Sequence, residues 1–399
     1  MTRLGECLAA LRFGLASAMA RPRHALLAAA GLLVAAVTLL IILTIPVGIE
    51  RVAMRTGSSG VAVVLANRSG WDETEGNIAP ELVARIGVLP QVARNAEGVP
   101  LVAPQFAVTH RLKRRDGSER TVLVRGVTPN VWDVAGDGAR IVKGSRIAPA
   151  LQQVVSGLQA ADQYLYADTG AELRLGRGVS SQWEVVGEFS AGGGLWESEL
   201  WADIDALRAM FNVPGQSTSV WVRLASPAAF DEFVDAMQAD PRLRGLQVFR
   251  QQGFYAGRVA FLKRFVEVAA FVVALVLGLM AVLACSNAVG LALRARRREL
   301  AVLRAIGFGS NRLFVALIVE MLVLAGACAA VAMAIGVWLV HAQSVDSSTQ
   351  TASIRFTLAV TPTVMGLTLG YTLLLGLAGT LIPAWRIVRS PLTLALARE

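Results

Sequence analysis

The chain has 399 residues, 54% of them hydrophobic and 17% charged, and its mean hydropathy is +0.54. This balance excludes an ordinary soluble protein and indicates an integral membrane protein. The net charge of +9 is uneven: residues 48–265 carry 24 Lys and Arg against 23 Asp and Glu, and most of the excess lies beside apolar segments. We therefore expect the basic residues to contact membrane lipid, and we expect no nucleic-acid binding.

Residues 1–24 are predicted to form an amphipathic helix at the inner membrane surface, because leucines and a methionine recur at helical spacing over residues 3–20. The uncharged run 25–47 is long enough to span a bilayer as transmembrane helix 1. A cleaved signal peptide is the alternative. Its apolar core would be shorter, and TIPVGIE offers no cleavage site of small residues, so we favour an uncleaved anchor.

Residues 48–265 are predicted to form an α+β domain outside the membrane, inserted between helices 1 and 2 and ending in a helical stalk over Phe254–Arg264. Apolar runs predict strands, and turn and cap residues predict a hairpin at Asp116-Gly117 and a helix capped by Ser226. The predicted strands are Val61–Ala66, Trp183–Gly187 and Ser219–Leu224, the hairpin covers 105–127, and the helices are Pro80–Ile86 and those starting at Ala202 and Pro227.

Within this domain, four tryptophans lie between Trp183 and Trp221. They could line an apolar ligand site, but ordinary core packing is the interpretation that we favour. We expect Gly192–Gly194 to be a mobile loop. The domain contains no cysteine, since these are Cys7, Cys285 and Cys328, and the three histidines lack the spacing of metal ligands, so neither a disulfide nor a metal site is predicted.

Three further apolar segments predict transmembrane helices at 266–291, 313–340 and 362–385. The arginine-rich loop 292–312 is placed in the cytoplasm, the short balanced loop 341–361 outside, and the tail 386–399 inside, so both termini are predicted to be cytoplasmic. Glycine and alanine recur in the last three spans, for example at Gly326, Gly366, Gly370, Gly376 and Gly379. Small residues at such spacing allow close contact between helices.

The loop between the second and third spans reads RARRRELAVLRAIGFGSNR, with six arginines opposed by Glu299 alone. The apolar residues from Leu300 to Ile306 predict a short amphipathic helix, which Gly307 ends. A helix of two turns needs a surface to rest on. That surface is either a partner protein or the anionic headgroups of the membrane.

No recognised catalytic or nucleotide-binding motif occurs in the sequence. Its three lysines do not end a phosphate-binding GxxxxGK[ST] loop, and GxSxG, HExxH and CxxC are absent. We therefore predict no catalytic residue and no cofactor bound by this chain. Glu320 is the one carboxylate well inside a span; we favour pairing with Arg294, Arg304 or an arginine of another chain over a role in a proton relay.

The order of one span, a large outside domain and three more spans resembles the MacB and FtsX family of ABC transporter permeases. The residues that carry the resemblance are RRRELAVLRAIGF followed by LIVEMLVLAGA, the closing IPAWRIVRSPLTLALARE, and VLVRGVTPNVWDV in the outside domain. The resemblance covers nearly the whole chain, and it implies a MacB-like periplasmic core domain in a bacterial inner-membrane protein.

The resemblance also implies a function. The short helix of the inside loop would be the coupling helix that docks on a separate ABC ATPase subunit, which binds the ATP and Mg²⁺. The residues matched to it are Arg297, Arg298, Glu299, Leu300, Leu303, Arg304, Ala305, Ile306 and Gly307. Further implied partners are a second permease copy or a paralogue and a periplasmic adaptor. The protein would be a permease subunit of an exporter that works by mechanotransmission. A transmitter that activates a cell-wall hydrolase, as in FtsX, and a lipoprotein-releasing permease are the alternatives.

Overall fold

The structure is a computed structural model that describes residues 22–66, 70–176, 181–295, 302, 310–340, 343–348 and 353–388. The chain divides into two compact units. The helical unit comprises Met1–Val47, Arg264–Gln343 and Thr357–Glu399, and the sheet unit comprises Gly48–Lys263 and Ser344–Phe356. The amphipathic helix predicted for residues 3–20 lies outside the described residues.

Four helices of the described chain are long and apolar enough to cross a membrane, which confirms the predicted number of spans. They are α1 (Pro22–Met54), α7 (Gln251–Ala295), α8 (Ser310–Val340) and α9 (Pro362–Val388). Each is longer than the apolar segment that predicted it. The reason is that hydropathy marks only the residues suited to lipid, whereas backbone hydrogen bonding continues into more polar sequence.

Small side chains hold the core of the helical unit together. A Cβ atom added at Gly379 would lie 2.7 Å from Cys285 Cβ, and one added at Gly376 would lie 2.9 Å from Ala325 Cβ, so these glycines allow close helix contacts. Gly326, Gly366 and Gly370 have open space on the Cβ side within this chain, so close helix contact at these positions stays a prediction. Spacing alone could not separate the packed glycines from the others because it does not fix which helix face meets a neighbour.

Among its described residues, the sheet unit contains ten strands in one mixed sheet, a small hairpin and five short α-helices. The strands of the large sheet are β1 (Val61–Ala66), β2 (Val102–Lys113), β3 (Glu119–Val127), β4 (Arg140–Gly144), β5 (Gln153–Gly157), β6 (Glu172–Leu175), β7 (Ser181–Ser190), β8 (Leu200–Asp203), β9 (Ser219–Arg223) and β10 (Leu246–Arg250). The helices are α2 (Pro80–Gly87), α3 (Val131–Ala135), α4 (Leu158–Gln163), α5 (Ile204–Phe211) and α6 (Phe230–Ala239), and 3₁₀ turns lie at Gly136–Gly138, Leu195–Ser198 and Pro227–Ala229.

The strand order is β10-β1-β9-β2-β3-β8-β5-β7-β4, and β6 also pairs with β7. Two pairs, β3 with β8 and β5 with β7, are parallel, and the others are antiparallel. Strands mixed with helices confirm the predicted α+β class. Two apolar cores share one face of the sheet, one of them packing α5 and the other packing α2 and α6. We call the opposite face the aromatic face, because Trp201, Trp221 and Phe249 lie on it.

The strongest sequence patterns are confirmed. Val61–Ala66 is β1, and the predicted hairpin is formed by β2 and β3. Its turn is at Asp116-Gly117, with Gly117 at φ 86° and the Asp116 carboxylate accepting a hydrogen bond from Ser118 N at 2.8 Å. The predicted stalk is helical as the first part of α7.

Two helix starts were predicted wrongly. Ala202 belongs to β8, and α5 begins at Ile204 because Asp203 caps it, its carboxylate accepting from Asp205 N at 3.1 Å and Ala206 N at 2.9 Å. Ser226 precedes a 3₁₀ turn, and its side chain makes no capping hydrogen bond. A serine or aspartate before a helix is a signal for a cap, but only the backbone conformation decides which one is used.

The loop predicted between the last two spans contains a second, two-stranded sheet of β11 (Ser344–Ser348) and β12 (Ser353–Thr357), which belongs to the sheet unit. Sequence analysis missed this hairpin because its strands are short and polar.

The helix cap at Asp203 predicts that two substitutions differ in their effect on the free energy of unfolding. Asp203→Ala should lower the free energy of unfolding by about 1 kcal/mol, since two helical N–H groups lose their acceptor. Ser226→Ala should change it by less than about 0.5 kcal/mol, because no cap is lost. Unfolding of the full chain in detergent, followed by tryptophan fluorescence, measures both; equal effects would contradict the assigned caps.

Candidate functional site

The predicted coupling residues Arg297–Gly307 lie outside the described residues, with the exception of Val302, which is helical and exposed. Their role therefore stays a prediction. Glu320 is half-buried on α8, and Arg294 is exposed near the end of α7. Pairing of Glu320 with an arginine also stays a prediction.

The aromatic face of the sheet holds a group of buried charges that sequence analysis missed. We call Glu73, Arg125, Glu199 and Arg258 the anchor cluster. Arg125 on β3 binds both carboxylate oxygens of Glu199, through Nε and Nη2, each at 2.8 Å. Its Nη1 pairs with Glu73, which also accepts a hydrogen bond from Arg258 Nη1 at 3.2 Å. The cluster thus joins the sheet to Arg258, which lies on α7.

Burial makes these charges dependent on one another. The side chains of Glu73 and Arg125 are fully buried, and those of Glu199 and Arg258 are 6% and 14% exposed. Burial alone would raise the pKa of Glu73, but the charges of Arg125 and Arg258 outweigh it and hold this pKa below the ordinary value of 4.5. Burial alone would lower the pKa of Arg125, yet Glu199 and Glu73 raise it well above its usual range. Glu73 and Arg125 therefore stay charged at neutral pH.

Aromatic rings surround the cluster and connect it to the first turn of α7. The Arg125 guanidinium lies 5.0 Å from the centre of the Trp221 ring, which stacks on Trp196 at 4.8 Å. Trp196 in turn contacts Tyr255 of α7 edge-on at 5.8 Å, and Trp201 Nε1 donates to Glu199 at 3.0 Å. The four tryptophans from Trp183 to Trp221 are all fully buried, which confirms the interpretation as packing.

The loop after β1 crosses α7 as a strap, which we define as residues 70–75. Trp71 stacks on Phe254 at 5.8 Å and contacts Phe249 in a tilted arrangement at 4.7 Å, while Glu73 supplies the carboxylate described above. The strap lies directly on the helix at Gly257, where an added Cβ would be 2.5 Å from the Trp71 ring. A side chain at this position would lift the strap.

The end of α1 and the start of α7 are tied to each other within the sheet unit. Gln252 Nε2 donates to Met54 O at 3.1 Å, and the buried Gln251 side chain accepts from Ser58 N at 3.0 Å. Further along, Lys263 pairs with Glu50 at 2.8 Å. The two helices therefore leave this unit as a connected pair.

The glycine loop 192–194 was expected to be mobile, and the structure instead shows it held at several points. The Glu197 carboxylate accepts from Ala191 N and Gly193 N at 2.8 and 2.9 Å, and Thr56 Oγ1 accepts from Leu195 N at 2.7 Å. Thr56 follows α1 directly. The loop thus fixes the end of α1 to the same face of the sheet that holds α7.

This arrangement is suited to holding helices. Each charge of the anchor cluster is paired with an opposite charge, and the rings are packed against one another. Sequence analysis could have suspected Arg125, since a charge inside the apolar strand VLVRGV has to be paired when the strand is buried. Nothing comparable marks Glu73, which lies in the polar loop WDETEG.

The depressed pKa of Glu73 predicts acid sensitivity. Its stabilising contribution is complete above the ordinary pKa and is lost as the pH falls through the lower pKa of the folded state. Glu73→Gln should lower the free energy of unfolding at neutral pH by about 3–5 kcal/mol, because buried arginine charges lose their partner. It should also flatten the decline in the free energy of unfolding that the wild type shows below about pH 4.5. Unfolding of the full chain as a function of pH measures both effects.

Glu119→Gln is the matched control for this experiment, since Glu119 is exposed and lies 3.9 Å from Arg111. Its effect should stay below about 1 kcal/mol. A Glu73→Gln variant with the acid profile of the wild type would contradict the assigned pKa.

Two glycines of α7 predict opposite results for the same substitution. Gly253→Ala should stabilise the chain by about 0.5–1 kcal/mol, because alanine favours helix and space is open there. Gly257→Ala should destabilise it by about 1–3 kcal/mol, because the new Cβ meets the Trp71 ring. The additional change Trp71→Ala should remove this penalty. Thermal unfolding of these three variants tests the strap, and stabilisation by Gly257→Ala would contradict it.

The comparisons with known proteins agree with the two units. The family model described as FtsX-like permease C-terminal matches residues 271–392, and that described as MacB-like periplasmic core domain matches residues 25–240. No match was found among curated proteins.

Three solved structures are similar to part of the chain. The periplasmic region of MacB from Actinobacillus actinomycetemcomitans has 12% identity and a TM-score of 0.37, covering 53% of this chain and 94% of that one. The extracellular domain of the noncanonic ABC-type transporter YknZ from Gram-positive bacteria has 14% identity and a TM-score of 0.34, covering 47% and 99%. A domain of a permease protein from Porphyromonas gingivalis has 17% identity and a TM-score of 0.32, covering 48% and 92%.

The periplasmic-core model alone covers more than half of the sequence, and the permease model follows it in the order of the family. The chain therefore belongs to the MacB/FtsX family of ABC transporter permeases.

Proposed function

We propose that the protein is a permease subunit of an ATP-driven ABC exporter, which works by mechanotransmission between a separate cytoplasmic ATPase and its own periplasmic domain. The observation that carries this proposal is α7. It is one unbroken helix of 45 residues whose start is locked into the sheet by Arg258, Tyr255 and Gln251. Its length of about 67 Å is roughly twice the hydrocarbon thickness of a bilayer.

Such a helix is suited to carry motion. An α-helix keeps its length because its hydrogen bonds run along its axis, so a shift or rotation at one end reaches the other. The anchor cluster prevents the start of α7 from slipping against the sheet, since any slip would separate buried opposite charges. Movement of the membrane helices would thus become movement of the periplasmic domain.

The direction of coupling follows from the charge distribution. The arginine-rich segment 292–312 is placed in the cytoplasm, with both termini on that side, the large domain in the periplasm and the spans in the bacterial inner membrane. We propose that residues Arg297–Gly307 dock on the ATPase subunit, which binds ATP and Mg²⁺. This chain then acts as a non-catalytic subunit without a cofactor of its own. Glu320 would pair with an arginine near the inner surface.

The complete assembly needs further partners. Four spans are too few to enclose a wide path, so a second permease copy or a paralogue would complete the membrane unit. A periplasmic adaptor would receive the movement of the domain, and lipid would contact the basic inside segments. Substrate need not cross the bilayer through this chain.

A pull-down of the tagged full chain from its native membrane in detergent, with mass spectrometry and an ATPase assay, tests the proposal. We expect an ABC ATPase and a periplasmic adaptor to copurify with the wild type. Leu303→Asp should abolish recovery of the ATPase, because it places a charge on the apolar face of the docking helix. Glu73→Gln should retain the ATPase, because its site lies in the sheet unit.

The other outcomes are also decisive. Recovery of an ATPase with a cell-wall hydrolase would replace the exporter by a signal transmitter, and recovery with lipoproteins would favour a lipoprotein-releasing permease. Recovery of no ATPase with the wild type, or full recovery with Leu303→Asp, would contradict docking by this segment and leave it as a lipid anchor.

A further inference from the structure

The turn between β2 and β3 concentrates positive charge. We call residues 111–120, with the sequence RLKRRDGSER, the basic turn. It contains five Lys and Arg against Asp116 and Glu119, a net charge of +3, whereas the whole segment 48–265 has a net charge of only +1. The rest of that segment is therefore slightly acidic, and the positive charge is local.

The basic turn is exposed and is held by hydrogen bonds. The side chains of Arg111 and Arg115 are 74% and 47% exposed, and Lys113 and Arg120 are exposed as well. The two acids of the turn compensate weakly, since Glu119 lies 3.9 Å from Arg111 and Asp116 lies 3.9 Å from Arg114. Arg115 is different, because it pairs with Asp168 outside the turn at 2.5 Å, so its charge adds little to this surface. Hydrogen bonds within the turn, including Arg114 N to Ser118 O at 2.7 Å, hold this charge in one place.

An exposed aromatic side chain lies beside these charges. Leu165 N donates to Lys113 O at 3.0 Å, which places Tyr166 next to the basic turn. Tyr166 is 67% exposed and has a φ of 62°, a left-handed conformation that is unfavourable for tyrosine. Folding thus keeps a large ring at the surface at an energetic cost, with no core packing to explain it.

Hydrogen bonds connect the basic turn to the hairpin between the last two spans. Arg115 Nη2 donates to Ala161 O at 3.1 Å, and Arg115 N donates to Gln163 O at 3.0 Å. Between these residues, Asp162 pairs with Arg355 of β12. The basic turn, Tyr166 and the hairpin β11–β12 therefore lie together on one side of the sheet unit, which we call its edge.

The chain itself relates this edge to the bilayer. The hairpin β11–β12 starts at Ser344, shortly after α8 ends at Val340, and it ends at Thr357, shortly before α9 begins at Pro362. Both helices are candidate membrane spans. An extended chain covers only about 3.3 Å per residue, so the hairpin cannot lie far from the places where these helices leave the membrane.

We propose that the basic turn and Tyr166 form a docking surface for the headgroups of anionic phospholipids. Clustered lysines and arginines attract such headgroups over short distances, and tyrosine favours the interface between lipid and water. This surface would give the periplasmic domain a contact with the membrane besides its covalent connections. It goes beyond the proposed function, because it requires neither an ATPase nor a substrate.

Fluorescence quenching in lipid nanodiscs tests this proposal with the full chain. Ser118→Cys, in a chain carrying Cys7→Ser, receives an environment-sensitive label, while the buried Cys285 and Cys328 stay unchanged. The discs contain phosphatidylcholine with a nitroxide on its headgroup, either alone or with one third phosphatidylglycerol. We expect about twofold stronger quenching in the anionic discs, and we expect the difference to shrink at high salt.

Matched variants separate specific docking from net charge. The triple change Arg111→Glu, Lys113→Glu and Arg120→Glu should abolish the lipid dependence, and Tyr166→Ser should reduce it. As the control, three exposed arginines elsewhere in the sheet unit, Arg94, Arg242 and Arg244, are changed to Glu; this alters the net charge equally and should leave the dependence intact.

Equal quenching in both lipids would overturn the proposal, as would quenching that persists in the triple variant of the basic turn. Soluble polyglutamate is added in a separate experiment. If the polymer, and not the anionic lipid, changes the emission of the label, the surface serves an acidic polymer and the lipid proposal falls. Tryptophan emission of each variant shows whether the sheet unit is folded, since its core rings are buried.

Discussion

The buried guanidinium of Arg125 is the interaction on which the sheet unit depends. It lies on the aromatic face, binds Glu199 through two nitrogens and pairs with Glu73 through the third. A planar group with both partners fixed has almost no freedom to rotate. Because Glu73 also binds Arg258, the orientation of Arg125 sets the place where α7 meets the sheet. The tryptophans around it exclude water, which strengthens every pair in the group.

Stability alone does not explain such a cluster. Apolar side chains of the same size can stabilise an interior as well as a buried ion pair does, since charges lose their hydration on burial. Charges differ from apolar side chains in tolerating only one arrangement of their partners. We infer that the anchor cluster serves to fix the position of α7, and the strap over Gly257 has the same effect by shape. A helix held by both contacts resists sliding against the sheet, whereas a helix held by apolar packing alone could slide.

The sequence predicted the parts of the fold that depend on local patterns. Four spans, the strand at Val61–Ala66 and the hairpin turn at Gly117 each follow from hydropathy, strand propensity or turn chemistry. The strand order of the sheet could not be predicted in this way. β8 lies between β3 and β5, which are far from it in the chain, and such pairing depends on which surfaces meet.

The anchor cluster shows the same limit at the level of single residues. An arginine inside VLVRGV signals that a partner is needed, but Glu73 and Glu199 are distant in sequence and look like ordinary surface acids. Their role exists only once β3, the strap and the start of α7 are brought together. The helix α7 adds a second reason, because its apolar residues indicate a membrane span and give no sign that its first turns are buried in a folded domain. The residues that connect the membrane span to the folded domain belong both to the apolar helix and to the core of the domain. Neither the hydropathy of a span nor the pattern of a domain core identifies them alone.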